Sequence, residues 1–329
     1  MTNILRFRRG FLSAGILVLV LLTLPQVGLA QWSATVGAQN HNKGHQALAF
    51  LPNEMWIHAG DSITWSFDVD EIHTVTFLKD GQTRLPFSVG CPGASASPAT
   101  FDGSTCVTTP PMVKGQSFTV NFSKAGNFKL VCLVHENMTG AVHVLPSSEP
   151  LPHNQRFYDN QAEDEREALL TDHDPEREGE GPAAHVHGRD VTAGVGEVIA
   201  TPGGSATLSV MRFMEPVTVI HAGETVEWTN SDPITPHTIT FGVEPANPIP
   251  PAGTFTKDAD GALHATINSA SDSVHSGFIV AAPQERIGLA QAPLGNTRFR
   301  ITFAHAGVYP YICALHDDLG MKGKVVVLP

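Results

Sequence analysis

Two short runs in this 329-residue sequence carry residue types that bind soft metals. Cys132-Leu133-Val134-His135-Glu136-Asn137-Met138 places two residues between Cys and His and two between His and Met. Cys313-Ala314-Leu315-His316-Asp317-Asp318-Leu319-Gly320-Met321 places two and then four. A thiolate is a soft, strongly donating ligand, imidazole suits copper and zinc alike, and thioether sulfur favours copper. Zinc is the competing metal, but a thioether is a poor fourth ligand for it. The chain holds 16 His and 4 Cys; so few Cys cannot staple a chain this long, and with so many His they point to metal. A lone Cys is ordinarily a small buried hydrophobe, and a lone Met a core filler. The same trio of types appearing twice calls for more than core packing.

The elements that must position these residues are also repeated. Ile57-His58-Ala59-Gly60-Asp61-Ser62-Ile63-Thr64-Trp65 recurs as Ile220-His221-Ala222-Gly223-Glu224-Thr225-Val226-Glu227-Trp228, followed by His73-Thr74-Val75-Thr76-Phe77 and His237-Thr238-Ile239-Thr240-Phe241. Each half then runs through Phe-x-x-Ala-Gly and its Cys-x-x-His to a final Val-Leu-Pro, so the chain is a tandem duplication. Ile63 and Trp65 alternate with Ser62, Thr64 and Ser66 between Gly and Pro turns, which is the pattern of half-buried strands. The expected fold is all-β, two Greek-key β-sandwiches at residues 31–148 and 191–329. The halves are joined by residues 149–190, which hold twelve acidic residues and four Arg. That composition reads as an acidic, largely disordered linker, with two helical turns over Glu163 to Leu170. His185 and His187, with His153 and His173, could hold a labile copper or zinc there, although a solvated linker is the preferred reading.

Residues 1–30 combine Arg6, Arg8 and Arg9 with an apolar run from Phe11 to Leu24 and a small-residue end at Gly28 and Ala30. This is the pattern of a secretory signal peptide, and Arg8-Arg9-Gly10-Phe11-Leu12 also resembles a twin-arginine export signal. The run is too short to span a bilayer, so no membrane span is expected after cleavage. The compartment implied is periplasmic or extracellular and oxidising. Twenty Lys and Arg against 32 Asp and Glu give a net charge of −12, which excludes a nucleic-acid binder. Cleavage removes three Arg and no acid, taking the charge to −15.

On these motifs each half resembles a cupredoxin, the blue copper family of plastocyanin, pseudoazurin and amicyanin. The first loop has the short amicyanin-like spacing, and the second is similar to plastocyanin and pseudoazurin. The resemblance implies two type 1 copper ions, one held by His73, Cys132, His135 and Met138, the other by His237, Cys313, His316 and Met321. In the family the loop His, here His135 or His316, reaches the surface as an electron port. Leu133, Val134, Ala314 and Leu315 would then form the apolar partner contact, and Glu136, Asp317 and Asp318 would favour a basic partner. Cys91 and Cys106, fifteen positions apart in a Gly, Ser and Pro-rich insertion, are expected to form a disulfide, leaving Cys132 and Cys313 free as ligands.

The implied function is single-electron transfer between redox partners, such as basic c-type cytochromes or an oxidase or reductase. A periplasmic copper-delivery protein is the alternative from the same ligands. A multicopper oxidase or nitrite-reductase-like enzyme is disfavoured, since the sequence neighbours of the two Cys are Val131, Leu133, Ile312 and Ala314, none of them His. The family's usual Asn after the first ligand is replaced by Thr74 and Thr238, whose hydroxyls can make similar bonds. Trp65-Ser66-Phe67 differs from Trp228-Thr229-Asn230, so the two sites are expected to differ in potential.

Overall fold

The computed structural model describes residues 29–84, 91, 93–172, 189–281 and 297–329. Of the signal peptide expected over residues 1–30, residues 1–28 lie outside these residues, as do His173, His185 and His187. The first half contributes ten strands: β1 (Gln31–Gln39), β2 (His45–Leu51), β3 (Glu54–His58), β4 (Ser62–Phe67), β5 (Thr76–Phe77), β6 (Ala99–Phe101), β7 (Val107–Thr108), β8 (Ser117–Phe122), β9 (Gly126–Val131) and β10 (Thr139–Leu145). After helix α1 (Gln155–Glu167) the second half adds eleven more. They are β11 (Asp190–Thr201), β12 (Gly204–Phe213), β13 (Val217–His221), β14 (Thr225–Ser231), β15 (Thr240–Phe241), β16 (Thr256–Lys257), β17 (Leu263–Ile267), β18 (Val274–His275), β19 (Arg298–Phe303), β20 (Gly307–Ile312) and β21 (Lys322–Leu328).

Each half is a two-sheet sandwich of the expected all-β kind. One sheet runs β2-β1-β4-β8-β6 in the first half and β12-β11-β14-β19-β17-β16 in the second. The facing sheet runs β3-β10-β9-β5-β7 and β13-β21-β20-β15-β18. The alternation read from sequence sets which side faces in: Ile63, Trp65 and Phe67 are buried while Ser62, Thr64 and Ser66 are not, and Val226, Trp228 and Asn230 repeat this in β14. Trp65 packs on Phe77 with ring centroids 5.5 Å apart, and Trp228 on Tyr311 at 5.4 Å, so an aromatic core lies between the sheets of each half.

The two halves are joined edge to edge. β2 and β12 occupy equivalent edge positions and pair antiparallel, Leu48 with Thr207, Ala47 with Leu208, Gln46 with Ser209 and His45 with Val210. Pairing equivalent strands antiparallel is what a two-fold relation between the halves produces, and it leaves neither edge open for aggregation. β2 is consequently buried along its whole length. Thr139 of β10 also pairs with Ser205 of β12, and the Asn53 side chain accepts from the Thr201 hydroxyl at 2.5 Å.

Residues 149–172 are more ordered than their acidic composition implies. The helix expected over Glu163 to Leu170 begins at Gln155, capped by Asn154, whose side chain accepts from the Phe157 amide at 3.1 Å. Tyr158 is the anchor that average composition conceals: its ring is fully buried, and its hydroxyl accepts from Trp56 N at 2.8 Å and donates to Trp56 O at 3.1 Å. Leu169 then packs in one apolar cluster with Ala47 and Ala49 of the first half and Ala206 of the second. His153 stacks on Phe157, so its ring serves packing. The halves therefore stay together through strand pairing and this packing, and a tether is not required. Inserting a protease site between residues 172 and 189 and cutting it should leave the two fragments co-eluting on a sizing column; separation of the fragments would contradict the interface.

Candidate metal centres

Each centre draws on three places in its sandwich. His73 lies between β4 and β5, clamped by exchanged backbone hydrogen bonds with Met112 at 3.0 and 2.8 Å. Cys132 follows the last residue of β9, and His135 and Met138 lie in the loop that leads to β10. In the second half His237 is clamped to Ile279 in the same way, Cys313 follows β20, and His316 and Met321 precede β21. Each loop is closed on itself: Cys132 N donates to Met138 O at 2.9 Å, and Cys313 N to Met321 O at 3.1 Å. The methionines that end the loops are fully buried.

The donors converge. His73, Cys132 and His135 bring ligand atoms within 4.8 Å of one another, as do His237, Cys313 and His316, and all six residues are buried. In both centres the two imidazole Nδ1 atoms lie 3.1 Å apart. Cys132 Sγ is 3.9 Å from His135 Nδ1, and Cys313 Sγ is 3.4 Å from His316 Nδ1 and 3.9 Å from His237 Nδ1. Two neutral imidazoles cannot both turn lone pairs toward each other at such a distance unless a proton or a cation stands between them. A thiolate and two imidazoles with a buried thioether nearby fit copper in a trigonal site with a weak axial sulfur.

The surroundings favour the thiolate. Thr74 N and His135 N each approach Cys132 Sγ at 3.4 Å, and Thr238 N approaches Cys313 Sγ at 3.3 Å. Burial would push both thiols up, but the neighbouring imidazoles outweigh it, so that Cys132 lies well below the usual thiol range and Cys313 is also lowered. The two Thr residues tie ligand segments together as anticipated: Thr74 Oγ1 accepts from Leu133 N at 2.8 Å and Thr238 Oγ1 from Ala314 N at 2.7 Å. Asn230 adds a tie that Phe67 cannot make, its amide donating to Thr235 O and Ile279 O at 2.9 Å each. Cys91 and Cys106 form the expected disulfide, and Cys132 and Cys313 are free.

The loop histidines do not reach solvent. His135 is 2% and His316 3% exposed, because the Nε2 edges of both turn toward one carboxylate. Glu71 Oε1 lies 3.3 Å from His135 Nε2, and Glu71 Oε2 lies 3.7 Å from His316 Nε2 across the interface between the halves. Burial works to raise the Glu71 carboxyl, but the close approach of His135 and the neighbouring His316 and His73 hold it at about 2. Leu133 is buried, while Val134, Ala314 and Leu315 are half-buried, with Val134 and Leu315 packed on the core. The surface port that the resemblance implies is thus closed, and of the implied apolar patch Leu133 is buried while Val134, Ala314 and Leu315 keep part of their surface open.

Sequence reasoning missed Glu71, Arg84 and Arg212. The available signal for Glu71 was an acid two residues before a ligand His, where the other half has Thr235. Arg84 donates to Cys132 O and Leu133 O at 2.8 to 3.2 Å, and Arg212 on β12 donates to Leu319 O at 2.8 Å and to Asn42 O of the first half at 2.6 Å. Both act as guanidinium clamps on ligand-loop carbonyls.

Fold and centre together define the cupredoxin class. A family model for copper-binding proteins of the plastocyanin/azurin family matches residues 37–145 and 201–328, more than half of the sequence, and the chain belongs to that family. No curated protein sequence matches it. Among solved structures it is similar to a reduced Cu(I) form of an amicyanin mutant, at 20% identity over 36% of this chain and 87% of that one, with a TM-score of 0.25. A mutant fern plastocyanin is similar at 20% identity over 42% of this chain and 99% of that one, with a TM-score of 0.24.

The first ligand of each centre is also fixed by its neighbours' size. A Cβ placed on Gly37 would lie 2.8 Å from His73 Nε2, and one on Gly194 only 2.1 Å from His237 Nε2. Both glycines have positive φ, 71° and 79°, so a side chain there is disfavoured twice over. Gly194→Ala should push the His237 ring off its position and weaken metal binding in the second centre by about 10- to 100-fold, the range for disturbing a ligand's support. Competition against a chelator checks this, and an unchanged affinity would contradict it.

Proposed function

We propose that this chain is an exported electron-transfer protein that carries two type 1 copper ions and passes single electrons between redox partners. The observation that carries the reading is the pair of buried His–Cys–His sets, each closed by a buried Met, in which the protein supplies every donor. Catalytic metal centres keep a position open for substrate, whereas a protein-saturated site suits outer-sphere transfer. When bound, copper would supply a one-electron couple between Cu(I) and Cu(II). The residues of the chain hold the thiolate, set the imidazole edges and exclude water.

Export is supported by the signal-like residues 1–30 and by the disulfide, which belongs to an oxidising compartment. No helix among the described residues is long and apolar enough to cross a membrane. Partners of basic character, including c-type cytochromes, are favoured by the net charge of −12. Contact falls on Val134, Ala314 and Leu315 at the rims of the loops, and the buried Leu133 takes no part. Complete burial of the six nitrogen and sulfur ligands favours a carrier that keeps its metal over a delivery protein that surrenders it, so slow copper exchange with an acceptor is expected.

Metal analysis with optical spectroscopy tests the reading. The purified protein should hold two coppers and show intense thiolate-to-copper charge-transfer absorption. Cys132→Ser and Cys313→Ser should each remove one copper and that centre's share of the band. A protein that takes up zinc in preference to copper, or that stays colourless when copper-loaded, would overturn the assignment.

A further inference from the structure

The expected electron ports of this family point outward, yet here both point inward at one side chain. Glu71 sits in the first half, 7% exposed, with one carboxylate oxygen near His135 Nε2 and the other near His316 Nε2. With Nδ1 of each loop imidazole turned to its centre, the remaining Nε2 carries the proton, and a carboxylate is the usual acceptor for it. Glu71 lies 3.3 Å from the His135 Nε2 and 3.7 Å from the His316 Nε2, so it is within reach of the first imidazole and faces the second as a charge, and one carboxylate lies between ligand imidazoles of the two halves. Nothing comparable holds His73 or His237, whose Nε2 atoms are buried without hydrogen-bond partners. The first ligands are pinned by packing, and the loop ligands by one shared charge.

The surroundings of Glu71 are dry and fixed. Asp232 lies close enough to His135 and His316 to act on both electrostatically, but its own oxygens are engaged: Oδ1 accepts from Ile234 N and Thr235 N at 2.8 Å each, and Oδ2 from the Ser209 hydroxyl. Ser209 belongs to β12 and pairs with Gln46 of β2, so the strand junction and the carboxylate bridge are parts of one interface. The same junction that joins the sheets thus sets the two loop histidines on either side of Glu71.

We infer that Glu71 is the bridge through which the two metal centres of one chain exchange electrons, along His135, the Glu71 carboxylate and His316. This rests on the electron-transfer reading above and goes beyond it, since it makes the chain a coupled two-electron store instead of two independent carriers. With copper in both centres, the exchange would oxidise one ion from Cu(I) to Cu(II) as it reduced the other from Cu(II) to Cu(I), and would consume no proton, atom or external reagent. Glu71 acts as a positioning residue: it touches both ligands and binds neither metal.

The test uses the full chain loaded with copper and two readouts. First, in the diamagnetic Cu(I) protein, nitrogen-15 magnetic resonance should show Nε2–H protons of both His135 and His316 protected from solvent exchange, and Glu71→Gln should lose this protection at one or both. Second, after photochemical reduction of one centre in the fully oxidised protein, electron redistribution between the centres should be about tenfold slower in Glu71→Gln than in the parent, equivalent to about 1.4 kcal/mol of barrier. Retained copper content and charge-transfer bands in the variant show that it folds. Unchanged redistribution in a two-copper variant would overturn the bridge and leave the electron-carrier reading standing, whereas absent charge-transfer bands in the parent would overturn that reading itself. If Glu71→Gln does not fold, the parent's resonances decide: two protected Nε2–H protons support the bridge, and rapid exchange at either contradicts it.

Discussion

A thiolate carried into a dry interior is costly unless positive or hydrogen-bonding groups meet it there, and the architecture of both halves answers that requirement. Cys132 and Cys313 are fully buried, each at the end of a strand that delivers it between two imidazoles. Amide groups from the first-ligand segments, Thr74 N and Thr238 N, approach the sulfurs from the other side. Because those donors come from distant positions in sequence, the sulfur can be held only if the facing sheets are already registered. The aromatic cores around Trp65 and Trp228 provide that register.

The duplicated fold solves the same problem twice but supports it differently. Arg84 clamps the short first loop from within its own half, whereas Arg212 clamps the longer second loop and reaches Asn42 across the interface. Asn230 secures the His237 segment with two hydrogen bonds where the first half has the apolar Phe67. Such outer ties alter how rigidly ligands are held and how the centre is solvated, which are the properties that tune a metal site's potential. The junction between the halves then adds a feature that neither copy has alone: two loop histidines closed around Glu71.

Much of this was legible in the residues. Alternating Ile63, Trp65 and Ser62, Thr64 fixed the strands and their inward faces, the repeat fixed the number of domains, and the Cys-His-Met spacing located both ligand loops. The Cys91–Cys106 pairing followed from compartment and from the remaining thiols. What escaped were contacts made between distant segments. The acidic composition of residues 149–190 concealed Tyr158, a single buried ring that anchors a helix beginning eight residues earlier than expected. Leu133 looked like an exposed contact, but it is buried, with its amide held by Thr74 and its carbonyl by Arg84, both distant in sequence. Glu71 stands two residues before a ligand His, but that spacing does not disclose a carboxylate whose partners are 64 and 245 positions away in the chain.

In the proposed function one chain holds two copper ions in enclosed centres that face each other across Glu71. Diffraction from copper-loaded crystals, recorded on both sides of the copper absorption edge, addresses it directly. The account predicts two anomalous peaks per chain, one among His73, Cys132, His135 and Met138 and one among His237, Cys313, His316 and Met321, with Glu71 between the two loop imidazoles. A single peak, a peak held by other residues, or loop histidines turned out to solvent would contradict it.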